Sequence, residues 1–196
     1  MIRSFIAIPV RGEAARALRA RQSPIAGARA VQAEDFHLTL AFLGDQTEAL
    51  LRALADDLDA LVPDPFEVTL THPDLIGGAH PRAIAWMARG QHLGFKDPLT
   101  RLHEKLIRAA QRAGVDLPRR RFRPHVTVYR LPRTPAPDTS GGLQAWLARQ
   151  AGAAPITFTA TTFELIESRL TPEGPIYTTL ADFLFAGYAH AFDPNS

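Results

Sequence analysis

Cysteine is absent from the 196 residues. Disulfides, thiolate nucleophiles and cysteine-held metals are thereby excluded, and a reducing compartment is permitted but not required. No run of about 18 apolar residues occurs, so no membrane-spanning helix is expected. The opening segment, Met1 to Val10, is too short and too soon interrupted by Pro9 for a secretory signal, which leaves the cytoplasm as the expected location. An excess of either charge is missing too. Twenty-two basic residues face 20 acidic ones, a formal net charge of +2, too little to coat nucleic acid by bulk attraction. Lysine is nearly lacking: only Lys96 and Lys105 occur, and the other 20 basic residues are arginine, which suits bidentate phosphate contacts. There is no glycine-rich phosphate loop, dinucleotide fingerprint or Gly-x-Ser-x-Gly elbow; Gly77-Gly78 and Gly141-Gly142 read as turns.

What is present is ordinary for a folded chain: 46% hydrophobic and 21% charged residues, in a length that suits one domain. Strands are expected at Ser4 to Val10, Phe36 to Leu43, Phe66 to Thr71, Arg82 to Ala88, His125 to Tyr129, Ile156 to Ile166 and Ile176 to Phe183. Helices are expected at Glu13 to Ala20, after Asp45 with Glu48 as a capping box, after Asp97-Pro98, and around Leu143, Trp146 and Leu147. Ala26 to Gln32 is ambiguous. Pro132 to Gly142 reads as a loop, and Arg169 to Gly174 as a turn-bearing connection. Strands and helices interleave and polar–apolar alternation predominates, which points to an α+β fold with antiparallel sheets covered on one face.

One pattern carries chemistry. His37-Leu38-Thr39-Leu40 returns as His125-Val126-Thr127-Val128, 88 residues later. A spacing near half the chain suggests two similar lobes, each giving one strand to a shared central cleft. The expected organisation is one bilobal domain over 1–196, with motifs at 37–39 and 125–127. Residues i and i+2 of a strand share a face, so each His sits beside its Thr while the intervening apolar residue anchors the strand. By strict alternation Leu38, Leu40 and Phe42 form the core face of the first strand, and His125, Thr127 and Tyr129 share one face of the second. A lone copy would be an ordinary strand; the recurrence is what points to paired acid–base chemistry. Two imidazoles can divide the roles of base and acid near neutral pH, and two hydroxyls can donate to the oxygens of a tetrahedral anion. That set suits phosphodiester cleavage.

A metal reading is weaker. Two histidines need a third ligand, such as His72, His92 or Glu34, and no ligand spacing supports one. No metal and no cofactor is therefore expected. His72 and His80 read as solvent-facing, and His92, His103 and His190 carry no pattern. Asp35 precedes the strand and lacks a partner carboxylate. Six arginines and no acid lie between Arg119 and Arg133, a local positive rim beside the second histidine. Arg130, three residues past Thr127, can reach a phosphate. Phe42, Phe122 and Tyr129 are candidate stacking rings and Arg123 a further substrate contact.

Phe36-His37-Leu38-Thr39-Leu40-Ala41-Phe42-Leu43-Gly44 and Phe122-Arg123-Pro124-His125-Val126-Thr127-Val128-Tyr129-Arg130 resemble the two signature segments of the RNA 2',3'-cyclic phosphodiesterases. These were first named 2'-5' RNA ligases and belong to the two-histidine phosphoesterase superfamily. Phe5-Ile6-Ala7-Ile8, Glu167-Ser168-Arg169-Leu170, Gly174 and Tyr177 add to the resemblance. It implies two α+β lobes around a cleft and metal-independent hydrolysis of a 2',3'-cyclic phosphate to a 2'-phosphomonoester. His125 would be the base on water and His37 the acid on the departing 3'-oxygen. Thr39 and Thr127 would hold the phosphoryl oxygens, and Arg130 would neutralise them. The residues themselves leave open which histidine is the acid. The implied molecule is a monomer acting on RNA with a cyclic phosphate end, or on a small cyclic phosphate, with no membrane involved. Alternatives are 2'-5' ligation by the reverse chemistry, a small cyclic nucleotide phosphodiesterase, and a non-catalytic RNA-binding module. Family members often carry Trp after the arginine that corresponds to Arg29; here Ala30 follows it.

Overall fold

Apolar alternation and turn residues divide the described residues into nine strands and four helices. The computed structural model describes residues 1–78, 80–91, 96–118, 121–134, 137–172 and 174–188. In order, these residues form β1 (Ile2–Pro9), α1 (Gly12–Ala20), β2 (Arg29–Ala30), a 3-10 turn (Ala33–Asp35), β3 (His37–Gln46), α2 (Glu48–Asp59), β4 (Phe66–Ile76) and β5 (Ala83–Gln91). There follow α3 (Pro98–Arg112), β6 (His125–Arg130), α4 (Pro137–Gln150), β7 (Ile156–Ala160), β8 (Thr162–Thr171) and β9 (Gly174–Leu184).

The strands make one curled antiparallel sheet in the order β7-β4-β5-β6-β3-β1-β8-β9, with β2 alongside β6. It has two halves of four strands each. One half, β4 to β7, is contiguous in sequence. The other takes β1 and β3 from the beginning of the chain and β8 and β9 from near its end. They join where β3 meets β6, through the single pair Leu38↔Val126. Each half repeats one path: β1-α1-β3-α2 in the first, β5-α3-β6-α4 in the second.

Helices cover one face. Leu51, Leu54 and Leu58 of α2 and Leu99, Leu102, Leu106 and Ala109 of α3 recur every three or four residues and are buried. α3 packs on β3 and β5, α1 lies against β7, and α4 against β4. These elements share one core, in which Leu38, Leu40, Val126 and Val128 from the motif strands meet Trp86 and Trp146. On the other face Phe5, Ala7 and Ile166, with Tyr177 against them, form a second apolar cluster. The residues of the two motifs not committed to the core emerge on that open face.

Four expectations are corrected. The cap of α2 is Thr47, whose side chain accepts from the Leu50 N–H, while Asp45 pairs within β3. Ile156 to Ile166 is two strands broken at Thr161, one at the edge of one half-sheet and the other inside the opposite half, between β1 and β9. Gly141-Gly142 lies inside α4, which begins within the expected loop. The expected turn at Arg169 to Gly174 is shorter, because β8 continues to Thr171 and pairs with β9.

Candidate active site

Both motif strands carry the same irregularity. Along β3, Ala7 faces Thr39 while Ile6 faces Ala41, so Leu40 is an extra residue. Along β6, Ala85 faces Thr127 while Ile84 faces Tyr129, so Val128 is extra. A β-bulge of this kind reverses which face the following residues take. Phe42 accordingly emerges on the open face, 65% exposed, with its ring 6.1 Å from Phe5. Strict alternation had placed it in the core, and Ala41 and Leu43 are buried there instead. By the same slip Tyr129 turns inward and Arg130 outward. Tyr129 is buried; its hydroxyl donates to the Ser23 carbonyl at 2.8 Å and accepts from the Ser23 N–H at 2.7 Å. It therefore braces the core and does not line the cleft.

The extra residues leave carbonyls outside the ladder, and each is satisfied from elsewhere, as buried acceptors must be. Leu40 O accepts from His103 Nδ1 at 2.7 Å. Val128 O accepts from Gln22 Nε2 at 2.7 Å and from the Val31 N–H at 3.0 Å.

The histidines flank the junction of the half-sheets. Continuing the register from Leu38↔Val126 places Thr127 across from His37 and His125 across from Thr39. Each ring is held the same way: His37 Nδ1 bonds Asp35 O at 2.7 Å, and His125 Nδ1 bonds Arg123 O at 2.7 Å. A carbonyl oxygen only accepts, so Nδ1 carries the hydrogen in both, and Nε2 of the neutral ring keeps the lone pair. Burial pushes the His37 pKa down to about 4, against the raising effect of the Asp35 carbonyl; Arg130 and His125 depress it further. His125 is also lowered by burial, against its bond to the Arg123 carbonyl. Without a bound anion, His37 is thus neutral at pH 7.

His37 lies among aromatic rings, 4.9 Å from Phe5 and 5.1 Å edge-to-face from Tyr177. Tyr177 in turn accepts from Arg130 Nη2 at 2.5 Å. Thr39 and Thr127 stand half-buried on the open face, and neither hydroxyl bonds another described residue. A groove of about 690 Å³ runs out from this centre past Thr39, Phe42, His103, Phe122, Arg123 and His125. On the other side, His37, Asp35 and Tyr177 line a recess that also holds Arg11 and the buried Glu164. Beyond it, Arg29, Asp35, Arg130 and Tyr177 line a smaller recess.

The structure thus gathers His37, His125, Thr39, Thr127 and Arg130 about one junction. Phe42 and Phe122 reach the groove; Phe122 stacks on His103, with centroids 4.1 Å apart and planes 2° from parallel. Arg123 lines the groove while its guanidinium pairs with Asp74 at 2.9 Å. His72 and His80 are exposed. Arg119, Arg120, His92 and His190 lie outside the described residues. Sequence reasoning missed His103, which shows no motif of its own. Its signal is the spacing Leu99, His103, Ile107, which sets it at the edge of the apolar stripe. The contacts of Phe5 and Tyr177 with His37 were missed as well; they arise from pairing across β1, β3, β8 and β9 that no local pattern displays. Among the described residues no group of three or more His, Cys, Asp or Glu converges as a metal cluster, and no helix is long and apolar enough to cross a membrane.

Residues 9–171 match the model of the 2'-5' RNA ligase superfamily. An RNA 2',3'-cyclic phosphodiesterase of Archaeoglobus fulgidus is 28% identical over 191 residues, 93% of this chain and 99% of that one. One of Thermus thermophilus is 30% identical over 197 residues, 95% and 91% of the two chains. A crystal structure of a Thermus thermophilus protein shares the fold with a TM-score of 0.73 at 26% identity, covering 96% of this chain and all of that one. The apo form of E. coli LigT does so at 0.66 and 25% identity, over 94% and 97%. With its paired histidine strands and the match across most of its length, the chain belongs to the 2'-5' RNA ligase superfamily, among the RNA 2',3'-cyclic phosphodiesterases.

Proposed function

We propose that the protein hydrolyses the 2',3'-cyclic phosphate at an RNA end to a 2'-phosphomonoester, with His37 and His125 as the acid–base pair. The observation that carries this reading is their matched tethering. Each imidazole has its Nδ1–H tied to the carbonyl two residues earlier, on either side of one strand junction, leaving both Nε2 atoms for chemistry. His125 Nε2 takes a proton from water as the water oxygen attacks phosphorus. The bond from phosphorus to O3' breaks, and His37 Nε2–H protonates O3'. Thr39 and Thr127 donate to the non-bridging oxygens, and Arg130 offsets their charge. This division of roles follows the family resemblance.

It sets a condition on His37. A ring that is neutral above about pH 4 is no acid until something restores its proton. The cyclic phosphate monoanion supplies the opposite charge that the empty cleft lacks, and an anion beside an imidazolium raises its pKa. Histidine NMR titration with and without a nucleoside 2'-monophosphate therefore shows the His37 midpoint moving up on binding. A midpoint that stays near 4 exchanges the two roles. The activity itself is tested on a short RNA with a cyclic phosphate end, in EDTA. Wild type converts it to the 2'-phosphate and His125→Ala does not. Absence of conversion by wild type, on this RNA and on nucleoside 2',3'-cyclic phosphates, removes the proposal in favour of a binding-only module.

A further inference from the structure

Beside the histidines, two arginines stand directly opposite one another. Arg29 of β2 and Arg130 of β6 are cross-strand partners, and like charges so placed repel. None of the ion pairs among the described residues includes either one. Among the described residues Asp35, whose carboxyl burial and Glu34 push upward, is the one carboxylate that lines their recess. Among these described residues two guanidinium groups face one carboxylate, a positive balance.

Arg29 is exposed, and its guanidinium lies against Gly174. Gly174 begins β9 with φ at 131°, and a Cβ there would lie 2.5, 2.6 and 2.7 Å from Arg29 Nη2, Nη1 and Cζ. The guanidinium occupies the space that any other residue's side chain would need. Arg130 is fixed through Tyr177, the residue that also touches His37. The recess therefore adjoins the reacting centre on the side away from the aromatic groove. Thr127 and Arg130 are three residues apart along a bulged strand, roughly 10 Å at most, about the reach of one nucleotide.

We propose that Arg29, beside the Arg130 that serves the reacting phosphate, holds a second phosphate of the substrate, the one on the 5' side of the terminal nucleoside. The inference rests on the phosphodiesterase reading and narrows it: the favoured substrate carries a further phosphate beyond the cyclic one. A bare nucleoside 2',3'-cyclic phosphate engages Arg130 and leaves Arg29 without an anion. An RNA chain or a 5'-phosphorylated nucleotide neutralises it, and the two differ only beyond that phosphate.

The test compares calorimetric binding of a nucleoside 2',5'-bisphosphate with that of the nucleoside 2'-monophosphate at one fixed salt concentration. Wild type binds the bisphosphate about tenfold more tightly, allowing for the usual strength of an arginine–phosphate contact. Arg29→Gln brings the ratio close to one. Arg29→Lys, which keeps the charge but loses the fork, leaves about threefold. Arg52→Gln, which removes the same charge from the exposed face of α2, leaves the wild-type ratio intact. A wild-type ratio within twofold of one overturns the proposal, as does an equal fall in the Arg29 and Arg52 variants. The readout needs no turnover. Should no cyclic phosphate be hydrolysed by any variant, the catalytic reading fails while the subsite stands or falls on these ratios. Kinetics on a cyclic-ended dinucleotide against the 5'-phosphorylated mononucleoside 2',3'-cyclic phosphate then separate a chain from a lone 5'-phosphate.

Discussion

β3 and β6 bury their residues in the same order for five positions, slip at the same bulge, and then present opposite chemistry at the sixth. In β3 that position is Phe42, paired with Phe5; in β6 it is Arg130, paired with Ala83. The neighbours match the side chains. Phe5 gives an exposed ring something to lie against, while Ala83 leaves room for a guanidinium that turns toward Tyr177. The histidines differ likewise: His37 sits among Phe5 and Tyr177, whereas His125 opens on the groove. A near-symmetric frame thus carries an asymmetric cleft, apolar at one end and cationic at the other. A nucleotide has the same polarity, with a base at one side and phosphates at the other.

The largest effect tests whether the two histidines act as one unit. His37→Ala and His125→Ala each lower kcat by about 10²–10⁴, and the double variant falls little further than the worse single one. Multiplying losses in the double variant would mean two independent contributions and would break the pairing. The next effect sets the rings apart by burial. The folded His37 pKa of about 4 lies below the ordinary 6.5, so between those values the unfolded chain binds the proton first. Stability is then whole above pH 6.5 and is lost as pH falls toward 4, by about 3 kcal/mol for this ring. His125 adds in the same direction. Urea unfolding at pH 7 and pH 4.5 shows a smaller gap for His37→Gln than for wild type, and the reduction exceeds that for His125→Gln.

These distinctions mark where sequence reading succeeds and where it stops. The repeat of His, apolar, Thr, apolar is a local pattern, and it located both motif strands and their facing. Pairing lies outside any single segment. The slips at Leu40 and Val128 depend on Ile6 and Ile84 across the ladder, so strict alternation misplaced Phe42 and Tyr129. Ile156 to Ile166 looks continuous because both parts are strand; only the sheet order sends them to opposite halves. His103 gains its place because a bulge leaves the Leu40 carbonyl without a ladder partner, a need invisible until the bulge is known.

Smaller effects probe the symmetric part before the asymmetric one. Thr39→Ala and Thr127→Ala each cost about 1–3 kcal/mol in transition-state stabilisation, read as kcat with little change in KM. The two losses match within a factor of about three, since each hydroxyl sits beside one histidine and across from the other. A loss confined to one threonine would place the phosphoryl group off the junction, nearer that strand.

Phe42→Ala gives the smallest loss and bears most directly on the difference between the strands. The ring is 65% exposed and contributes little to the core, so melting temperature should stay within about 2 °C, as for a surface change near neutral in stability. If the aromatic end of the cleft receives the base, the lost stacking costs about 1 kcal/mol, near the low end for a base on a ring because one face stays open to water. The result is a roughly fivefold higher KM at unchanged kcat, for a substrate with any base, since every base has a face to stack. Arg130→Ala behaves differently: it acts at the phosphate end, lowers kcat, and its effect shrinks as salt rises. Equal salt dependence in the two variants would show that Phe42 acts through the charges around it and would remove the division of the cleft into an aromatic and a cationic end.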